Sequence, residues 1–134
     1  MVGVLVISHG RLAAELLSAA RTIEPALIDN ARAITLEWNT DPEAARDEIG
    51  KALVDLDSGE GVIVLTDMFG GTPSNLSLSF LQNEKIEVLT GVNLPMIIAI
   101  AQNRPSMNLS QLAEKAQEAG KMSISLAGKL LETG

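Results

Sequence analysis

The stretch GVIVLTDMFGGTPSN, residues 61–75, decides the fold. Val62, Ile63, Val64 and Leu65 form a short, continuous apolar run, the pattern of a strand buried on both faces. Asp67 closes the run, and Gly70 and Gly71 let the chain turn. Thr72 followed by Pro73 then pairs a capping residue with proline at the first helical position, so a helix opens there and runs through about Leu81. A buried strand, a glycine turn and a capped helix make one half of a β-α-β unit.

The same alternation continues in both directions. Residues 2–7 are a β-branched run ended by Ser8, His9 and Gly10. Leu12, Ala13, Leu16, Leu17, Ala20 and Ile23 recur at helical spacing, with Pro25 just past the stop. Residues 33–38 read as a second strand. Asp41, Pro42 and Glu43 then open a helix that turns Ala45, Ile49, Ala52, Leu53 and Leu56 inward and ends near Gly59. Residues 85–89 read as a fourth strand, followed by an apolar helix near 96–101 and a helical pattern over 109–131 that Gly120 interrupts. Such alternation predicts an α/β fold with an open, mainly parallel sheet covered by helices on both faces. In these sheets ligands bind beyond the carboxyl ends of the strands, where the strand order reverses.

Composition narrows the function. The 134 residues have room for one domain, residues 1–134, and 46% apolar against 20% charged residues is the balance of a globular protein. Seventeen acids against ten bases leave a formal charge of −7, which argues against nucleic acid or an anionic membrane surface as partner. With no cysteine, disulfides, thiolate zinc sites and cysteine nucleophiles are all excluded. A single histidine, His9, means that any metal site would be built mainly of carboxylates, so neither metal nor cofactor is expected. The first apolar run is too short for a signal peptide or a membrane span, which predicts a cytoplasmic protein. Trp38, Phe69 and Phe80 are too few aromatics for a stacking platform.

The unusual residues sit just after strands. His9 follows the first and Asp67 the third. A carboxylate beside an imidazole accepts the proton of one ring nitrogen and leaves the other free as a nucleophile. A strand-end histidine that merely caps the next turn is the plainer alternative. Thr72 and Pro73 start a helix whose free N–H groups favour an anion, although a tight strand-to-helix turn explains the same residues. Arg11 reads either as a phosphoryl or partner contact or as a solvent-facing base, and Trp38 either as an interface anchor or as a side chain packed on a neighbouring helix. The Gly-x-Ser-x-Gly elbow of serine hydrolases and the P-loop are both absent. Phospho-receiver domains need acids where Ser8, His9 and Gly10 stand, and histidine phosphatases need a second histidine.

Three segments, GVLVISHG (3–10), TDMFGGTPSN (66–75) and GVNLPM (91–96), occur in an order and spacing that resemble one family. This is the enzyme IIA domain of the mannose family of the bacterial phosphoenolpyruvate-dependent sugar phosphotransferase system. The resemblance implies a sheet of order 2-1-3-4, with an extra antiparallel edge strand contributed across a homodimer. It implies that His9 takes a phosphoryl group from the phosphohistidine of HPr and passes it to an enzyme IIB, while Asp67 orients the ring. The membrane is reached only indirectly, through IIC and IID permease components that carry the sugar. For the phosphoryl oxygens, the donors expected are the N–H groups around Gly71, Thr72 and Ser74, with the hydroxyl of Ser8 or Thr66. The apolar residues at 96–101 read as core or as a dimer contact.

Phe69 and Ser74 depart from the residues common in that family. They alter the rim of the site, and with Arg11 and Trp38 they bear on partner choice. No linker or IIB domain follows Gly134, so the expected acceptor is a separate IIB. The alternatives are a stand-alone regulatory phosphoprotein, switched by His9 phosphorylation without sugar transfer, and a donor subunit for dihydroxyacetone kinase.

Overall fold

The computed structural model describes residues 1–25, 29–68 and 72–133. Its elements are β1 (Gly3–His9), α1 (Leu12–Ile23), β2 (Ala31–Leu36), α2 (Pro42–Leu56), β3 (Val62–Thr66), α3 (Thr72–Leu78), β4 (Ile86–Thr90), α4 (Leu94–Asn103), α5 (Leu109–Met122) and α6 (Ala127–Thr133). β1 is apolar on both faces because it lies inside the sheet. The strand order is β2-β1-β3-β4, all parallel, with Val4 opposite Ala31, Ile7 opposite Thr66, and Thr66 opposite Thr90.

Alternation along the strands sorts side chains into two cores. Val4, Val6, Ile63 and Leu65 pack against α1, α4 and α5. Leu5, Ile7, Val62 and Val64 pack on the other face against α2, with Leu76 and Phe80 beside them. The helices present matching stripes: Ala13, Leu17 and Ala20 on α1, and Ala45, Ile49, Ala52, Leu53 and Leu56 on α2. Asp41 and Asn93 cap α2 and α4 by accepting from the N–H groups of Ala44 and Met96, at 3.3 and 3.0 Å.

Several boundaries differ from the sequence reading. β1 extends to His9 because Ser8 and His9 still pair with Thr35 and Leu36 of β2. β2 starts at Ala31, two residues early, and ends before Trp38, since this edge strand tolerates exposed Arg32 on its outer side. α3 stops at Leu78 and gives way to turns before β4. Gly120 is not the break: α5 runs through it, because a Cβ there would meet Met96 Cε at 2.8 Å. The helical pattern is interrupted only after Met122. Of the two readings of residues 96–101, core and dimer contact, the structure bears out core. Met96, Ile97, Ala99, Ile100 and Ala101 are all buried within the chain's own core. Large exposed apolar side chains lie elsewhere, among them Trp38, Val54 and Met68 and a group at Met122, Ile124, Leu126, Leu130 and Leu131. No helix among the described residues is long and apolar enough to cross a membrane.

Arg104, just past α4, is 3% exposed. Its guanidinium donates to the carbonyls of Val2, Asn30 and Asp29 at 3.1, 3.4 and 2.9 Å. One side chain thus ties the start of β1 and the turn before β2 to the end of α4. Replacing Arg104 by Met removes the guanidinium donor from the Val2 and Asp29 carbonyls, and an expected loss of about 2–4 kcal/mol should appear in urea unfolding. A midpoint equal to wild type would show that the tie carries no stability.

Candidate active site

α1 packs on one face of the sheet, whereas α2 and α3 pack on the other. β1 and β3 are therefore neighbours whose following helices leave in opposite directions, which opens a crevice at their carboxyl ends. His9 ends β1 at that crevice and Asp67 follows β3 directly. Gly10, with φ of +54°, then swings the chain off the sheet toward α1.

One carboxylate oxygen grips His9 twice. Asp67 Oδ2 accepts from the His9 backbone N–H at 2.9 Å and from ring Nδ1 at 2.7 Å, while Oδ1 accepts from Met68 N–H at 2.9 Å. The Asp67 side chain is only 11% exposed, against 48% for His9. Burial pushes the Asp67 carboxyl up. The His9 backbone N–H, the His9 ring and the Met68 N–H outweigh that push and hold the carboxyl below the ordinary 3.8. The group is therefore ionised at neutral pH and can only accept. The proton of a neutral His9 ring accordingly sits on Nδ1, and Nε2 keeps its lone pair.

Beside His9 lies a cavity of about 290 Å³ between Leu36, Trp38, Pro42, Thr72 and Leu76. Thr72 and Trp38 thus share a pocket with the imidazole. Ser8 is fully buried, and its hydroxyl is engaged at the start of α1, accepting from Ala13 N–H at 2.7 Å and donating to the Gly10 carbonyl at 3.4 Å. The hydroxyls of Thr66 and Ser74 are buried without a hydrogen-bond partner. Arg11 is exposed and pairs with Glu15 at 3.6 Å, outside the pocket lining. Phe69 and Gly71 lie outside the described residues. Among the described residues no three His, Cys, Asp or Glu side chains cluster closely enough to hold a metal ion. The pocket leaves little trace in the sequence: its walls come from the ends of β1 and β2, the turn after β2, and the first turns of α2 and α3, and only the prolines and caps of those segments carry a signal.

The family model for the fructose IIA component of the phosphotransferase system, EIIA-man, matches residues 3–117. Among curated relatives, YadI of Escherichia coli (strain K12), described as a candidate phosphotransferase enzyme IIA component, is 32% identical over 126 residues, covering 93% of this chain and 86% of YadI. The mannose-specific EIIAB component of the same organism is 27% identical over 125 residues, covering 92% of this chain but 38% of that longer protein. Among solved structures, the phosphotransferase system component EIIA from Streptococcus agalactiae superposes with a TM-score of 0.85 at 24% identity, over 96% of this chain and 99% of that one.

Asp67 also sets a pH dependence. Its native carboxyl titrates below 3.8, so under that pH the unfolded chain binds more protons than the native one. The stability it contributes is present above that value and lost as pH falls through the native pKa. Unfolding of wild type and Asp67→Asn from neutral to acid pH should therefore show the wild-type advantage shrinking below about 3.8; a pH-independent gap would mean the carboxylate is not held as described.

Proposed function

This chain belongs to the EIIA-man family of sugar phosphotransferase system IIA components, and from that premise we propose that it is a phosphocarrier with His9 as its phosphorylated residue. The observation that carries the reading is the 2.7 Å bond between His9 Nδ1 and Asp67 Oδ2, which leaves Nε2 its lone pair on a half-exposed ring. The phosphoryl group arrives on the phosphohistidine of HPr. The lone pair of Nε2 attacks phosphorus in line, the donor's N–P bond breaks, and its electron pair returns to the donor imidazole. The Nδ1 proton stays in the bond to Asp67, whose negative charge balances the phosphorylated imidazolium. Onward transfer to a separate enzyme IIB repeats these steps in reverse. Similar imidazoles exchange the group in both directions, so positioning and charge balance are the protein's main tasks.

In this reading Thr72, which lines the pocket with His9, donates its hydroxyl to a phosphoryl oxygen. Ser8 serves instead to hold the end of β1 against α1. Thr66 and Ser74 bring two unpartnered hydroxyls under the same edge, and the Gly71 N–H completes the proposed donor set. Residues 1–134 act as a single IIA domain in the cytoplasm, meeting the membrane only through the IIC and IID permease components. A second copy of the chain covers the apolar side chains at 122–126, which a monomer leaves in water.

With phosphoenolpyruvate, enzyme I and HPr, intact-mass spectrometry should find one acid-labile phosphoryl group on wild type and none on His9→Ala. Labelling of that variant would sink the assignment. Asp67→Ala should slow transfer by about a hundredfold, since the ring loses its orientation. A phosphoryl group retained on His9 in the presence of IIB would favour the regulatory alternative. Light scattering should give a dimer mass for wild type and a monomer mass for Ile124→Ser/Leu126→Ser; equal masses would place the interface elsewhere.

A further inference from the structure

α2 borders a second cavity on the side away from the sheet. Its inward stripe runs through Ala45, Ile49, Ala52 and Leu56. Along the outer side lies a cleft of about 540 Å³, closed by Phe80 from the turn after α3. Neither the packing of the two cores nor the chemistry at His9 accounts for it. Gly50 lines this cleft from the middle of the helix, where glycine is a poor helix former. No crowding requires it. A Cβ there would meet only Phe80 Cε1 and Cζ, at ordinary distances of 3.7 and 3.8 Å, whereas one at Gly3 or Gly120 would meet neighbours at 2.6 or 2.8 Å. The missing side chain leaves open space beside the Phe80 ring.

The lining combines three kinds of surface. Val54, 77% exposed, and the half-buried Phe80 are apolar. Arg46 and Lys51 bring two cations, and the Arg46 guanidinium lies 5.6 Å from the centre of the Phe80 ring. Asp47 and Asp55 bring two carboxylates, of which Asp55 is already paired with Arg32 at 3.4 Å. Arg46 and Lys51 against Asp47 then leave a local positive balance, in a chain whose net charge is −7. A bare phosphate makes no use of Val54 and Phe80, and a wholly apolar ligand would cover the charges without pairing them. A phosphorylated sugar uses every part. Its C–H face packs on Val54 and the Phe80 ring, its hydroxyls donate to Asp47 and Asp55, and its phosphate accepts from Arg46 and Lys51. We propose that this cleft is a binding site for a phosphorylated monosaccharide, separate from the phosphoryl site at His9. Phosphorylated sugars are the product class of a sugar phosphotransferase system, so a reaction of that kind supplies the ligand.

Amide NMR titrations test the site with mannose 6-phosphate and fructose 6-phosphate, and with mannose, inorganic phosphate and AMP as counter-probes. At least one sugar phosphate should shift the amides of residues 46–55 and Phe80 saturably, with a Kd of about 1 mM or tighter. Mannose and inorganic phosphate should each bind at least about tenfold more weakly. Lys51→Gln, at an exposed position, should weaken the sugar phosphate by about tenfold, and Gly50→Leu, which fills the cleft from the helix, should abolish the shifts. His9→Ala should bind as wild type does, so the site stands or falls apart from the carrier reading. Shifts absent from 46–55 with both sugar phosphates overturn the proposal. Inorganic phosphate or AMP binding as tightly as the sugar phosphate does so too. If Gly50→Leu fails to fold, Lys51→Gln decides: wild-type affinity in that variant refutes the site.

Discussion

Asp67 Oδ2 accepts two hydrogen bonds from one residue, and most of what the carboxyl edge of this sheet can do follows from that pair. The backbone bond continues the pairing of β1 with β3 past the last ladder residue, so the strand end cannot swing away. The ring bond fixes the imidazole plane and the position of its proton. Either bond alone leaves one freedom open, in the main chain or about the side-chain torsions. Together they present a preorganised nitrogen, with no cost of reorganisation when a phosphoryl group arrives.

This arrangement depends in turn on strand order. β1 and β3 are not consecutive in sequence, yet they are neighbours, because β2 lies on the outer side of β1. The register sets Ile7 opposite Thr66, which brings the residues just beyond them to the same height. An order with β2 between β1 and β3 would still allow apolar cores but would separate His9 from Asp67. The topology is a functional requirement as well as a packing solution.

The elements whose evidence lies in side-chain type were legible in the sequence. The runs at 2–7 and 61–66 could hardly be anything but buried strands, and the cap at Asp41 with Pro42 marks the helix start that the structure shows. His9 and Asp67 stood out because they end such runs. What escaped depends on distant partners. β2 begins at Ala31 because β1 offers it a partner there, not because Arg32 favours a strand. Gly120 reads as a helix breaker, and only the approach of Met96 explains why a helix keeps it. Arg104 resembles an ordinary charged residue past a helix end until three carbonyls from two other segments converge on it. The pocket at His9 belongs to the same class, since its walls come from segments that local pattern does not bring together.

That convergence on Arg104 bears on how the chain matures during synthesis. β1 leaves the ribosome before the other elements described, and it is also an interior strand of the sheet. It can pair with β2 early, but its other edge stays open until residues 62–66 emerge. The carbonyl of Val2 receives its guanidinium only after residue 104 has been made. Until residues 62–66 emerge the nascent chain therefore holds an unpaired apolar strand edge, a condition in which chaperones are needed. Native contacts that join the first residues to the last third also lengthen the search for the folded state.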